Sequence, residues 1–192
     1  EISLPDSVTT IDAYAFCNCK ALSSIDFGEG LTSIGYSAFE NCKSLKQIQM
    51  PANIKTVAGG AFLGCITLEE ITLPDSLTTL GEKAFFQCTS LARVKLSSGL
   101  DTISKSAFAE CTSLSRVDIP SGVTTIDDYA FSWCFNLVSV TIPGSMRTID
   151  DHAFYGCTGL TSVSIQDNSI SSIGAYAFYG CTSLAGITLP AD

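Results

Sequence analysis

The chain has 192 residues, 46% hydrophobic and 15% charged, with 10 Lys+Arg against 19 Asp+Glu and a net charge of −9. High apolar content with little charge excludes a disordered chain, and the acidic balance argues against a nucleic-acid partner, which selects a basic face. Despite a mean hydropathy of +0.33, no apolar run approaches the roughly 18 residues of a membrane span, so direct membrane insertion is not expected.

Eight of the nine cysteines fall at positions 19, 42, 65, 88, 111, 134, 157 and 181, at intervals of 23 six times and then 24. This is a repeat period rather than a metal-ligand spacing. Counted from each Cys, the first recurring apolar position is +3 (Leu22, Leu45, Leu68 through Leu184). Apolar residues then flank a polar one at +6 and +8, as in Ile25-Asp26-Phe27 and Val94-Lys95-Leu96. That period of two is a short strand. Pro at +9 (Pro51, Pro74, Pro120, Pro143, Pro190, with Pro5 in the partial first unit) stops it, because proline cannot donate to a sheet ladder. Inward residues follow at +12 and +15, then usually Asp, Gly or Ser at +16 and an Ala-Phe pair at +19 and +20, from Ala15-Phe16 to Ala177-Phe178. The +16 residues read as helix N-caps, predicting one helical turn from +17 to about +22. The longer last interval places one extra residue in the turn Gln166–Ser169.

A strand and a turn of helix cannot bury a core alone, so the units must stack, with their inward positions forming columns. The predicted fold is an α/β repeat solenoid: a right-handed superhelix with a parallel sheet on its concave face and short helical turns opposite. Residues 1–192 form a single domain of about eight 23-residue units. The chain starts inside a strand and ends just after one, with no polar cap at either end. It is therefore expected to be a fragment of a longer array, whose open edges suit end-to-end self-association.

The unit C-x-x-L-x-x-[IV]-x-[LI]-P-x-x-[LV]-x-x-I-x-x-x-A-F, present throughout the chain, resembles the BspA-like leucine-rich repeat family of treponemal type. The resemblance implies a curved solenoid of a microbial surface or secreted protein that acts by binding. It implies no cofactor and no catalytic residue, since the motif is structural. An extracellular or cell-surface location is likewise what the resemblance implies.

Eight equivalent cysteines suggest a disulfide or metal ladder, or a column of small buried apolar residues. Stacked cysteines have parallel Cβ vectors and two equal neighbours, and zinc needs convergent ligands, so free buried thiols are expected. Cys17 lies off the column at +21, among residues as varied as Glu40, Leu63 and Tyr155. It is the expected reactive thiol.

Three surfaces are candidates for a partner. On the strand face, Arg93, Lys95 and Arg116 cluster among the outward +5 and +7 positions and would contact an anion or carboxylate. The competing reading pairs Glu70 with Arg93 and Asp118 with Lys95, leaving Arg116 alone. Away from the strands, Tyr129, His152 and Tyr176 share +18, Tyr155 and Tyr179 share +21, and Trp133 and Phe135 stand at +22 and +1. Aromatics with a polar tip suit protein or glycan partners, though they could instead pack across the helical turns. Third, Asp127, Asp128, Asp150 and Asp151 could hold Ca²⁺, but +16 is a capping position and no calcium-loop pattern is present, so no metal is expected.

Enzyme chemistry finds little footing. The one His, His152, has tyrosines as its stacked equivalents, and the sequence holds no G-x-S-x-G elbow, P-loop or H-E-x-x-H motif. The reading is a non-catalytic, adhesin-like binding module for a protein or glycan, with host extracellular matrix as one such ligand. The alternative is a structural spacer presenting another domain.

Overall fold

A computed structural model describes residues 1–167 and 169–188, the side chain of Thr188 excepted. Nine strands pair in chain order into one parallel sheet: Ile2–Ser3, Ser24–Asp26, Gln47–Ile48, Glu70–Thr72, Arg93–Lys95, Arg116–Asp118, Ser139–Ile142, Ser162–Ile165 and Ile187–Thr188. Facing residues are one repeat apart, as in Ile2 with Ile25 and Val117 with Val140. The register grows to 24 between Val163 and Ile187 and between Thr148 and Ser172. The extra residue therefore lies between Ile165 and Ser172, as the spacing predicts. Leu189 and Pro190, expected to end the last strand, lie outside the described residues, as does Asn168.

A second strand per unit escapes the sequence reading. The two-residue segments that end at the +15 apolar position form two further parallel sheets. One joins Thr10–Ile11, Ser33–Ile34, Thr56–Val57 and Thr79–Leu80, and the other Thr102–Ile103, Thr125–Ile126, Thr148–Ile149 and Ser172–Ile173. The ladder parts between Leu80 and Ser104, where the Ser104 hydroxyl rather than its amide donates to the Leu80 carbonyl, at 2.5 Å. The same unit has Ser97 at +9 in place of Pro, and this buried hydroxyl donates to the Leu77 carbonyl at 2.7 Å.

The expected helical turns are absent: no helix occurs among the described residues. Between +16 and the next Cys the chain runs through overlapping β-turns. Ala130 donates to Asp127, Ser132 to Tyr129 and Cys134 to Phe131, each three residues back. The amides between them donate outward to the next unit: Tyr129 to Asp151, Phe131 to Ala153 and Trp133 to Tyr155. A helix would need every one of these amides for a carbonyl four residues back. Its geometry is also blocked, because +18 and +22 are left-handed in unit after unit, with φ from 50° to 62° at Tyr14, Ser37, Lys83, Gln87, Glu110, Tyr129, Trp133, His152 and Tyr176 among others. A left-handed third residue is what a type II turn requires.

Inside, the columns are apolar and buried. Phe39, Phe62, Phe85, Phe108, Phe131 and Phe154 are fully buried. Their rings form a continuous stack with centroids 5.2–5.6 Å apart and planes within 9° of parallel. Leu at +3 and Ile, Val or Leu at +12 and +15 surround them, as in Leu68, Leu77 and Ile103.

Candidate binding surfaces

The strand face brings Arg93, Lys95 and Arg116 together around a groove of about 440 Å³ that Glu70, Thr72 and Asp118 also line. Arg93 donates to Glu70 at 2.7 Å, as expected. The other pairing is corrected: Arg116 donates to Asp118, two residues along its own strand, at 3.0 Å. Of these three cations, Lys95 and not Arg116 is the one without an ion pair among the described residues. Strand register explains the exchange. Arg93 and Arg116 face each other directly, and like charges so placed repel, so Arg93 turns to Glu70 on the strand away from Arg116, and Arg116 turns along its own strand to Asp118. Lys95 acts at longer range on Asp75, whose carboxyl is held below its usual range by the Ser98 amide and hydroxyl and, more weakly, by Lys95. Both ion pairs are largely exposed and contribute little to stability.

All seven aromatic candidates meet in one network on the turn face. His152 lies between Tyr129 (4.5 Å between centroids) and Tyr176 (5.1 Å), stacked on both. It also touches Tyr155 at 5.4 Å, which stacks on Tyr179 at 5.3 Å. Trp133 meets Tyr155 edge-on at 5.0 Å and Phe135 at 5.8 Å. The rings cover one another only in part: His152 and Tyr155 are half-buried, whereas Trp133 and Phe135 keep about 40% of their surface and Tyr176 and Tyr179 about 60%. The period causes this meeting. Residues at +18, +21 and +22 of adjacent units lie about one strand spacing, ~4.8 Å, apart, a ring-stacking distance.

The carboxylate cluster exists too. Asp127, Asp128 and Asp150 each bring one ligand atom within 4.8 Å of the others. Asp128 is committed to Lys105 at 3.0 Å, and Asp151 accepts from the Ala175 amide at 2.7 Å. The capping role expected at +16 is corrected: Asp127 accepts from the amide of the very next residue at 2.7 Å, inside a turn that leaves no helix to cap. Burial and the neighbouring Asp127, Asp128 and Asp151 push the Asp150 carboxyl up.

All nine cysteines are free, and those from Cys42 to Cys181 are buried. Each of the seven donates its S–H to the Phe carbonyl one rung back, as Cys65 to Phe39 and Cys111 to Phe85, both at 3.2 Å. The bond explains why no other small apolar residue occupies the column. Burial pushes the Cys88 and Cys134 thiols up to about 12 and Cys42 up to about 11. The expectation that Cys17 alone is reactive is corrected: Cys19 is exposed, whereas Cys17 is half-buried and has its thiol pushed up by desolvation and the Glu40 charge.

The sequence reading missed a second aromatic pair, Tyr14 with Tyr36 at 5.6 Å, both more than half exposed. Tyr14 shares +18 with Tyr129, so reading that column to its start finds it. A notch of about 350 Å³ lies beside Tyr36, with Gly59 and Gly60 among its lining residues and Glu82 and Lys83 completing it.

Comparison with known proteins bears on both fold and family. No protein of curated function matches the sequence. Among solved structures, the chain is similar to a leucine-rich repeat protein from Bacteroides ovatus, at 28% identity and a TM-score of 0.68, covering 99% of this chain and 63% of that one. It is also similar to the leucine-rich repeat protein of T. pallidum, at 26% identity and a TM-score of 0.65, covering 95% and 76%. The pneumococcal vaccine antigen PcpA shares the fold, at 22% identity and a TM-score of 0.56, over 97% of this chain and 61% of that one. The chain thus spans less than two thirds of the Bacteroides protein. Six copies of the BspA type leucine-rich repeat region match residues 1–115 and 101–192. The chain belongs to the BspA-type leucine-rich repeat family.

Proposed function

We propose that this chain is a non-catalytic binding module of a microbial surface or secreted protein, docking a macromolecular partner on its aromatic face. One observation carries the reading: seven aromatic rings from neighbouring units form a single network, yet five of them keep 37–60% of their surface exposed. Rings with few rotatable bonds and polar tips give contact area at low entropy cost and dominate binding hot spots. Membership of a family of repeats found in bacterial proteins supports surface display.

A spacer role is the second reading, favoured by the Phe stack and the turn ladder, which run through the break in the second sheet. An array of immobilised matrix proteins and glycans separates the two. A binder retains at least one of them through the aromatic face, and loses it in Tyr176→Ser/Tyr179→Ser. Retention of none leaves the spacer.

A further inference from the structure

Most rings of the aromatic face stand on edge. Tyr129, His152 and Tyr176 stack on one another, as do Tyr155 and Tyr179, so their faces point along the solenoid and cover each other. Trp133 differs. Its plane is turned 76° from Tyr155 and 66° from Phe135. A methyl group at Gly156, the next residue of its column, would sit 2.5 Å from the indole Cε3 and 2.7 Å from Cζ3. The indole therefore lies flat over a bare glycine, and with 40% of its surface exposed it turns a face outward. Gly180 continues the column with no side chain to block the approach.

The rungs on the other side of Trp133 in the same column carry hydrogen-bonding groups. The Gln87 amide donates to a Glu110 carboxylate oxygen at 3.0 Å. Gln87, Glu110 and Trp133 each lie one repeat apart and donate their backbone amides in the same inter-unit ladder. An open aromatic face with a carboxylate one rung away and an amide two rungs away matches one ligand chemistry well. A pyranose ring has an apolar face of C–H groups, polarised towards the electron-rich face of an indole, and hydroxyls around its edge that both donate and accept. Charge narrows the class. Glu110, the Asp127, Asp128, Asp150 and Asp151 carboxylates of the following turns, and the net charge of −9 repel sulfated or sialylated chains.

We infer that Trp133 is the stacking platform for a neutral pyranose unit of an oligosaccharide, with Glu110 and Gln87 on the next two rungs supplying hydrogen bonds to the adjoining sugars. This rests on the aromatic face being the docking surface and names the ligand class for it. Trp133 is the chain's one tryptophan, so its fluorescence reports the site directly. The test titrates the full chain with cello-, manno- and chito-oligosaccharides and, separately, heparin oligosaccharides, following indole emission and its quenching by acrylamide.

At least one neutral series should shift the emission and shield the indole, and heparin should do neither. Calorimetry with that series should show affinity falling about tenfold or more in Trp133→Ala, partly restored in Trp133→Phe, and about fivefold in Glu110→Ala. Thermal melts establish that each variant is folded. Silence of every neutral series, a response to heparin alone, or undiminished binding by both Ala variants overturns the inference. If the neutral series are silent but an immobilised protein is retained and then lost in Tyr176→Ser/Tyr179→Ser, the docking surface stands and the glycan assignment falls.

Discussion

Truncating one ring of the internal stack tests how the solenoid is held together. Phe108 is fully buried and stacks on Phe85 at 5.5 Å and Phe131 at 5.6 Å. Removing a buried Phe side chain costs about 3–5 kcal/mol. In a stacked array stability is a sum of units and interfaces, and Phe108 serves two interfaces. Phe16 is only partly buried and stacks on one ring, Phe39, at 5.1 Å. Phe16→Ala should therefore cost roughly half as much, about 1.5–2.5 kcal/mol. Equilibrium urea unfolding followed by circular dichroism reads both. At roughly 2–4 °C per kcal/mol for a chain of this size, Phe108→Ala should also lower the melting temperature by on the order of 10 °C. Equal costs for the two variants, or a cost below about 1 kcal/mol for Phe108→Ala, would refute the stack as the main source of cohesion.

Other consequences are equally open to measurement. Lys83 holds φ of 57°, so Lys83→Gly should stabilise by about 0.5–1 kcal/mol, seen as a higher urea midpoint, because a left-handed residue with a Cβ is strained. A thiol reagent at neutral pH should modify Cys19 first and Cys17 more slowly, leaving the seven buried thiols until the chain unfolds. Asp150 has a raised carboxyl, so it binds its proton more tightly folded than unfolded. Its favourable contribution is complete below the usual carboxylate range and is lost as pH rises through the raised value. Asp150→Asn should accordingly raise the melting temperature at neutral pH and leave it unchanged in acid.

Much of this was legible in the sequence because a repeat writes its inward positions over and over. Leu at +3, the Ala-Phe pair and the Cys column need no partner information, and the 24-residue interval alone located the extra residue. The helical turn failed because Asp, Gly and Ser at +16 suit a β-turn as well as an N-cap. The deciding signal lay at +22, where Asn18, Asn41, Gly64, Gly156 and Gly180 mark a left-handed position. Gln87, Glu110 and Trp133 in the same column conceal it. Second strands of two residues, such as Thr102–Ile103, are too short to show a period of their own. At the candidate sites, column positions correctly grouped the aromatic rings, whose contacts follow from the repeat spacing. They could not assign Arg116 to Asp118 over Lys95, because a long side chain chooses among partners at similar reach.

The claim that the aromatic face, and not the strand face, engages the partner is tested most directly by comparing two paired variants on one ligand array. Tyr176→Ser/Tyr179→Ser removes two rings that are each about 60% exposed, and Arg93→Gln/Lys95→Gln removes two of the three cations that line the strand-face groove. Ligands retained by the unaltered chain should be lost in the first pair and kept in the second. Loss in the Arg93/Lys95 pair with full retention in the tyrosine pair would contradict it.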